Sequence, residues 1–276
     1  MTPIVQALWS GQLDSTTDQQ PDPIPLRTKD LARYVGLTAF FLPVVLYLGA
    51  ALEPFCRPSS ISHSYYIPFL GSFFVAAMGF IAVFLFCYPG HSAMDSRMAT
   101  IAGGGALGLA IFPTAGDGCA ESFYSGRVLV AYSAGEGDAI TPALSYDYTL
   151  IGSLTSQMLH FGFAGLLFGI LAYFALWSFR RNNGEGVLRG PDGQPQMTEV
   201  KRFRNRIYLI CGLVIVGCIV VIVFLPNTSD GVSDLFPPVF TVEAIALFAF
   251  GISWAVKGRI FAAVREDQAP RAVPAA

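Results

Sequence analysis

The stretch Thr155–Phe179, TSQMLHFGFAGLLFGILAYFALWSF, decides the fold class of this chain. It is apolar over about 20 residues, the length at which a helix rising 1.5 Å per residue crosses the hydrocarbon core of a bilayer. Arg180 and Arg181 close the stretch, and His160 lies near its start. An ionisable side chain at membrane depth marks a functional site or a contact between helices.

The composition of the whole chain is that of a membrane protein. Of its 276 residues, 53% are hydrophobic and only 13% are charged, whereas soluble domains carry about 25% charged residues. The net charge of −2 gives no indication of nucleic-acid binding. The first 30 residues are polar and do not resemble a secretory signal peptide, so the first membrane helix is expected to direct its own insertion.

Six apolar segments predict an all-α fold, a polytopic six-helix transmembrane bundle. Proline, glycine or a capping residue bounds most of these segments. We place the helices at about residues 31–52, 68–88, 92–112, 155–179, 207–225 and 238–257, within a transmembrane domain of residues 31–258. Residues 1–30, with their prolines, are interpreted as a disordered cytoplasmic tail, and residues 259–276 as a second cytoplasmic tail.

Two regions between and within these helices carry more detailed predictions. The sequence Ser92–Asp95 fits a capping box that starts the third helix. Inside that helix, Gly104 and Gly108 form a small-xxx-small face, which is typical of closely packed membrane helices. Residues 113–153 are long for a structureless connection and include the β-like segment Val128–Tyr132, so we expect a long, partly structured outer loop.

The basic residues predict the orientation of the bundle. Fifteen of the 17 Lys and Arg residues fall on one side, and only Arg57 and Arg127 fall on the other. The positive-inside rule therefore places both termini in the cytoplasm. The basic run Lys201–Arg206 is interpreted as a positive-inside anchor, which could also contact anionic lipid headgroups. Four rings then fall at the cytoplasmic interface: Tyr88, Trp177, Tyr208 and Trp254.

His160 in the fourth helix and Glu243 in the sixth are the candidate functional pair. Each lies about five residues inside the outer end of its helix, on the order of 7 Å deep at 1.5 Å per residue. Ionisable groups at matched depth are expected to pair. Two interpretations stay open, a hydrogen-bonded clamp between the two helices and a functional site. Polar neighbours in the same outer half are Gln157, Ser72, Thr241, Tyr47 and Thr114.

His63, in the outer loop before the second helix, could join this pair as a third ligand. Three protein ligands and a water would form a catalytic zinc pattern, but no short-range histidine spacing supports it. We therefore predict no cofactor, with zinc held by His63, His160 and Glu243 as the alternative. A serine hydrolase could in principle use Ser62 or Ser72, but the chain has no nucleophile elbow.

The five cysteines divide by predicted location. Cys56 and Cys119 fall on the outer side, where disulfides persist, and are predicted to form one. Cys87, Cys211 and Cys218 lie in or beside helices and are expected to pack as small apolar side chains. No CxxC motif occurs in the sequence, so haem attachment and cysteine-based metal sites are not expected.

Three features of the sequence resemble the DRAM/FRAG group of membrane proteins. In that group an outer P-x-I-S stretch precedes the second helix, a histidine opens the fourth helix and a glutamate opens the sixth. The corresponding residues here are His160, Glu243 and, before the second helix, Pro58 with Ser60–Ser62, where the chain has one residue more between Pro58 and Ile61 than the motif. The resemblance implies six helices with cytoplasmic ends and lipid-related roles in membranes, such as lipid remodelling or organisation.

A second resemblance covers nearly the whole membrane region. It is to a set of uncharacterised bacterial six-helix membrane proteins, and it implies a multi-pass protein of the bacterial inner membrane without an established activity. The shared motifs are YY at Tyr65–Tyr66, FCY-G at Phe86–Gly90, ALG-FPT at Ala106–Thr114, RNRIY-CG at Arg204–Gly212 and FGISW-KG at Phe250–Gly258.

The predicted function is the binding or handling of membrane lipid at an outer-facing polar pocket between the fourth and sixth helices. Two alternatives stay open, and both use His160 and Glu243. One is a membrane-embedded lipid hydrolase, with or without zinc, and the other is a small proton-coupled transporter. Membrane lipids are the expected partners, and the sequence indicates no particular protein partner.

Overall fold

The computed structural model describes ten ranges of the chain: 28–52, 57–67, 69–114, 131–132, 142–143, 149–151, 153–181, 186–189, 194–224 and 237–265. Three predictions fall wholly or mostly outside the described residues. They are the Cys56–Cys119 disulfide, the disorder of the first tail and the nature of the end beyond residue 265.

Six long helices make up most of the described chain. They are α1 Thr28–Ala50, α2 Leu70–Cys87, α3 Ala93–Ile111, α4 Ser156–Leu176, α5 Glu199–Phe224 and α6 Pro238–Lys257. Five of the six, all except α3, are long and apolar enough to cross a membrane. α3 is less apolar because it carries Asp95 and Arg97 near its start and the consecutive glycines Gly103–Gly105.

Short antiparallel strand pairs lie between some of these helices. In the described residues, β1 Ala131–Tyr132 pairs with β2 Pro142–Ala143, β3 Thr149–Ile151 with β4 Leu154–Thr155, and β5 Val187–Arg189 with β6 Pro195–Met197. β1 to β3 lie in the predicted outer loop, and β1 contains the last two residues of its β-like segment. The loop is thus partly structured, as its sequence indicates.

The helices form a closed ring, in which each one packs on its sequence neighbours and α1 packs on α6. Glycines set the closest approach of α1 and α6. A Cβ atom added at Gly251 would lie 2.7 Å from the carbonyl oxygen of Gly36, and one added at Gly36 would lie 2.6 Å from the amide nitrogen of Ala255. These neighbours are backbone atoms, which cannot rotate away. Small residues of this kind let membrane helices pack backbone to backbone.

α3 also packs through glycines, but not through the pair predicted from the sequence. A Cβ atom at Gly108 would lie 2.3 Å from the ring of Phe163, and one at Gly105 would lie 3.2 Å from backbone atoms of α4. A Cβ atom at Gly104 would meet nothing within 4 Å. The packed face is therefore Gly105 and Gly108. Residues three apart share a helix face as residues four apart do, so spacing alone could not separate the two choices.

The start of α3 has the predicted cap, and its acidic residue is fully buried. The hydroxyl oxygen of Ser92 accepts the Asp95 N–H at 3.2 Å. The Asp95 carboxylate also accepts the Tyr173 hydroxyl at 3.1 Å and lies 3.7 Å from the Arg181 guanidinium. Asp95 therefore ties the start of α3 to the end of α4, which accounts for its burial.

The basic run Lys201–Arg206 is part of α5, so this helix begins earlier than predicted. Thr198 caps the helix by accepting the N–H of Lys201 at 3.1 Å. The Lys201 ammonium donates to the carbonyl oxygens of Phe179 at 3.4 Å and Arg181 at 3.1 Å, just beyond the end of α4. Orphan carbonyls at a helix end need donors, so this cation is buried in a structural role.

The chain continues as packed structure beyond the predicted domain boundary at residue 258. Val264 is buried, and its carbonyl oxygen accepts the guanidinium groups of Arg204 at 3.3 Å and Arg259 at 3.2 Å. The segment 259–265 therefore belongs to the helical domain and not to a tail. The buried Arg204 holds it against α5.

An aromatic cluster fills the interior of the helix ring near the end of α6, the end at which the segment 259–265 packs. Trp254 is 0% exposed, whereas Trp177 is 62% exposed, so only the latter has the exposure expected of an interfacial ring. Tyr88 and Tyr208 are also buried, at 3% and 2% exposed. Trp254 faces inward because α6 packs on both α1 and α5. The rings around Trp254, with centroids 5.0–6.0 Å away, belong to Phe84, Tyr88, Phe174, Phe179 and Phe250.

Candidate functional site

A cavity of about 390 Å³ lies inside the helix ring. All six helices contribute to its wall, which is apolar except for the Cys218 thiol and three polar side chains, Ser62, His160 and Glu243. Phe250 lines the cavity and also contacts Trp254, so the aromatic cluster closes the floor. This interior cavity therefore has an apolar body and one polar end.

The interior cavity reaches the outer surface of the ring between α4 and α5. Its lining includes Phe161, which is 56% exposed, and Val223, which is 70% exposed. Gly165 on α4 also lines it, and a Cβ atom added there would meet nothing within 4 Å. Farther along the same helix pair, a Cβ atom at Gly212 would lie 2.5 Å from the Leu176 side chain. The two helices thus pack tightly at one end and leave a mouth at the other.

His160 has both ring nitrogens engaged at the polar end. Its Nδ1 lies 2.8 Å from the carbonyl oxygen of Phe112, and its Nε2 lies 2.8 Å from the hydroxyl oxygen of Ser62. A carbonyl oxygen can only accept, so Nδ1 carries the proton. In the neutral ring, Nε2 then accepts the hydroxyl proton of Ser62. The histidine is only 3% exposed, and these two bonds satisfy it.

Glu243 binds the residue next to Ser62. Its Oε2 accepts the backbone N–H of Ile61 at 2.6 Å. One turn earlier on α6, the N–H of Phe240 donates to the carbonyl oxygen of Ser59 at 3.1 Å. The start of α6 therefore holds the loop before α2 at two points, and this contact sets where Ser62 lies.

The predicted direct contact between His160 and Glu243 is replaced by a shared contact with the loop. Both side chains line the interior cavity, but in the described part of the chain they make no hydrogen bond to each other. Ile61 and Ser62 lie between the two side chains. The Ile61 N–H binds Glu243, and the Ser62 hydroxyl binds His160. The hypothesis of a two-residue clamp therefore becomes a clamp of α4 and α6 through this loop.

His63 does not join His160 in the structure. Its Nδ1 forms a hydrogen bond with the hydroxyl of Ser59 at 2.5 Å, and this second serine–histidine pair is outside the cavity lining. No group of three His, Cys, Asp or Glu side chains that could hold a metal ion occurs among the described residues. The zinc set of His63, His160 and Glu243 is not assembled in this arrangement.

The other predicted site residues do not line the interior cavity either. Tyr47 and Thr241 line a second cavity of about 280 Å³ between α1 and α6, and the Thr241 hydroxyl donates to the carbonyl oxygen of Pro237 at 2.9 Å. Ser72 is exposed and Gln157 is half-buried. Equal depth in the membrane grouped these residues in the sequence, but helix rotation separates them.

The sequence does not decide whether Ser62 lies near His160. The sequence offered Ser62 and Ser72 equally as candidate nucleophiles, and only the structure places Ser62 on His160. The sequence feature that points to Ser62 is the Ser60–Ser62 stretch, which corresponds to the end of the P-x-I-S motif of the DRAM/FRAG group. The Phe112 carbonyl carried no signal at all, because every residue has a backbone carbonyl group.

Comparisons with known proteins find no relative for this arrangement. A scan against protein-family models, a search of the curated proteins and a search of the solved structures each give no match. The resemblance to the DRAM/FRAG group stays a prediction that rests on its sequence motifs. The fold and site define a class, a helical protein with five helices able to cross a membrane and a cavity inside the helix ring.

Proposed function

We propose that this chain is a multi-pass membrane protein that binds a membrane lipid in the interior cavity. The apolar body of the cavity takes an acyl chain, and its polar end faces the headgroup linkage. The observation that carries the proposal is the combination of about 390 Å³ of mostly apolar space with three polar side chains at one end. Small-molecule sites have this size and this sparse placement of polar groups.

The mouth between α4 and α5 supports a lipid as the ligand. Both helices are apolar and long enough to cross a membrane, so an opening between them faces the hydrocarbon core. An acyl chain can enter from that side without passing through water. A soluble polar metabolite would have to cross the apolar rim formed by Phe161 and Val223.

Six membrane spans and cytoplasmic termini complete the proposal. α3 packs between α2 and α4 in the ring, so it crosses the membrane with them although it is less apolar. Basic side chains make contacts at the end opposite Ser62: Arg33 donates to the Gly258 carbonyl oxygen at 2.5 Å, and Lys257 bonds His91. The positive-inside rule puts that end in the cytoplasm and the polar end of the cavity near the outer surface.

Single cysteines are expected to label in the pattern that this orientation requires. In a variant without the native cysteines, Val130→Cys and Asp230→Cys should react with a membrane-impermeant maleimide added to spheroplasts. Gly190→Cys should react only after permeabilisation. Reaction of Gly190→Cys alone in sealed cells would show that the orientation is inverted.

Filling the mouth is expected to remove bound lipid. Gly165→Phe places a ring where an added Cβ atom has open space, so the helix itself should tolerate it. We expect lipid per mole of purified protein, measured by extraction and mass spectrometry, to fall about tenfold or more, which corresponds to a loss of about 1.4 kcal/mol in binding. Ala246→Phe fills the same cavity from α6 and should act in the same direction.

Gly169→Phe is the matched control for this experiment. It lies on the same helix with equally open space at Cβ, but it does not line the interior cavity. It should keep the bound lipid of the unaltered protein. Purified protein that carries no lipid, or equal lipid in the Gly165 and Gly169 variants, would contradict the proposed binding site.

A further inference from the structure

We propose that Ser62 is a catalytic nucleophile, activated by His160, that transfers the acyl group of a lipid ester bound in the interior cavity. The inference rests on the proposed lipid-binding function and adds a reaction to it. It starts from the hydrogen bond of 2.8 Å between the Ser62 hydroxyl and His160 Nε2. An activated nucleophile requires a base within about 2.6–3.2 Å and a third group that orients the base.

The third group is the carbonyl oxygen of Phe112, which lies 2.8 Å from His160 Nδ1. It fixes the tautomer in which Nε2 has a free lone pair for the serine proton. Phe112 is the C-cap residue of α3, and the negative end of a helix dipole stabilises a nearby cation. This carbonyl therefore does for His160, more weakly, what the carboxylate does in a serine–histidine–aspartate triad.

The location of Ser62 gives the hydroxyl access to a substrate. Ser62 is half-buried, begins the short 3-10 helix Ser62–Tyr66 and lines the cavity. An acyl chain in the apolar body would leave its ester group at the polar end, where Ser62 lies. Glu243 is a positioning residue, because its bond to the Ile61 N–H holds the residue before the nucleophile.

The reaction balances without a further cofactor. The Ser62 oxygen attacks the ester carbonyl carbon while its proton passes to His160 Nε2. The bond to the lipid alcohol then breaks, and the departing oxygen takes the proton from Nε2, which leaves the acyl group as an ester on Ser62. Water, or the hydroxyl of a second lipid, attacks this ester with His160 as base. As the acyl–serine bond breaks, Nε2 passes the proton accepted in this step to the Ser62 oxygen. The products are the free lipid alcohol from the first step, a fatty acid or a new ester, and the original serine.

A long-chain alkyl fluorophosphonate tests the nucleophile directly, because serine attack displaces fluoride and leaves a stable phosphonyl adduct. In the detergent-purified protein we expect one adduct, on the peptide that contains Ser62. Ser62→Ala should give none. His160→Gln keeps hydrogen-bonding groups but has no basic nitrogen, so labelling should slow by about 10²-fold or more, the usual contribution of a general base.

The chain supplies its own control in the Ser59 and His63 pair. Ser59 also bonds a histidine but does not line the cavity, so Ser59→Ala should label at the rate of the unaltered protein. Glu243→Gln keeps an oxygen that can accept the Ile61 N–H and should label faster than Glu243→Leu, which we expect to slow labelling roughly tenfold. A short-chain fluorophosphonate should react more slowly than the long-chain one.

Lipid content, measured on the same samples, separates the two proposals. Protein that carries lipid but forms no adduct at Ser62 would overturn the nucleophile and leave lipid binding in place. An adduct that disappears in Ser59→Ala, or that forms equally fast in His160→Gln, would also overturn it. An adduct at Ser62 in protein that never carries lipid would support the serine–histidine pair and contradict the proposed lipid binding.

Discussion

Replacing Gly251 with leucine is expected to lower the free energy of unfolding by about 3 kcal/mol, the upper part of the range for overpacked cores. The new Cβ atom alone would lie 2.7 Å from the Gly36 carbonyl oxygen and 2.9 Å from the Phe40 amide nitrogen. Neither backbone atom can move unless α1 moves as a whole. The ring would therefore open between α1 and α6, and Glu243 would shift from Ile61.

Gly217→Leu provides the comparison for this result. Gly217 is also in the middle of a long helix, but a Cβ atom there would meet nothing within 4 Å. We expect thermal unfolding midpoints in detergent to fall strongly for Gly251→Leu and to change little for Gly217→Leu. Equal midpoints in the two variants would show that α1 and α6 do not approach as closely as described.

Trp254→Ala is expected to cost about 3–5 kcal/mol, the usual range for removing a buried large aromatic side chain. Trp254 is 0% exposed, and five aromatic rings surround it, the nearest two with centroids 5.0 Å away. Its loss leaves a void directly below Phe250, the floor of the interior cavity. The variant should therefore lose thermal stability and also bind lipid less selectively.

Trp254→Phe separates packing from hydrogen bonding at this position. The indole nitrogen is buried and has no hydrogen-bond partner among the described residues, so its removal should cost little. We expect Trp254→Phe to retain most of the thermal stability lost in Trp254→Ala. Trp177→Ala, at an exposed ring, should have a small effect in detergent. A large loss at Trp177 and none at Trp254 would contradict the described core.

The helical class was predictable because length and hydropathy decide which segments can cross a membrane. All six predicted helices have a counterpart in the structure. The largest difference is the start of α5, which the sequence places at residue 207, after the basic run Lys201–Arg206, and the structure places at Glu199. Lys201 and Arg204 are buried because they donate hydrogen bonds to distant carbonyl oxygens, those of Phe179, Arg181 and Val264. The sequence around Lys201 and Arg204 does not indicate these distant hydrogen-bond partners, so the burial of the two side chains could not be predicted from it.

The sequence predicts how far along their helices the site residues lie, but it does not predict which residues they contact. The rise per residue placed His160 and Glu243 near the outer ends of their helices, and both do line one cavity. Their partners are 98 and 182 residues away, at Ser62 and Ile61. Hydropathy does not encode how a loop folds back over a helix ring. A pairing inferred from equal depth therefore missed the loop that lies between the two side chains.

Closure of the ring between α1 and α6 also determines when the site can exist during synthesis. Arg33 and the Gly258 carbonyl oxygen bond across 225 residues, so α1 can pack on α6 only after α6 has been synthesised. Until then the Gly36 face of α1 is open to lipid, and the Ile61 amide lacks the Glu243 carboxylate. The wall of the interior cavity is therefore completed only when α6 packs on α1 and α5.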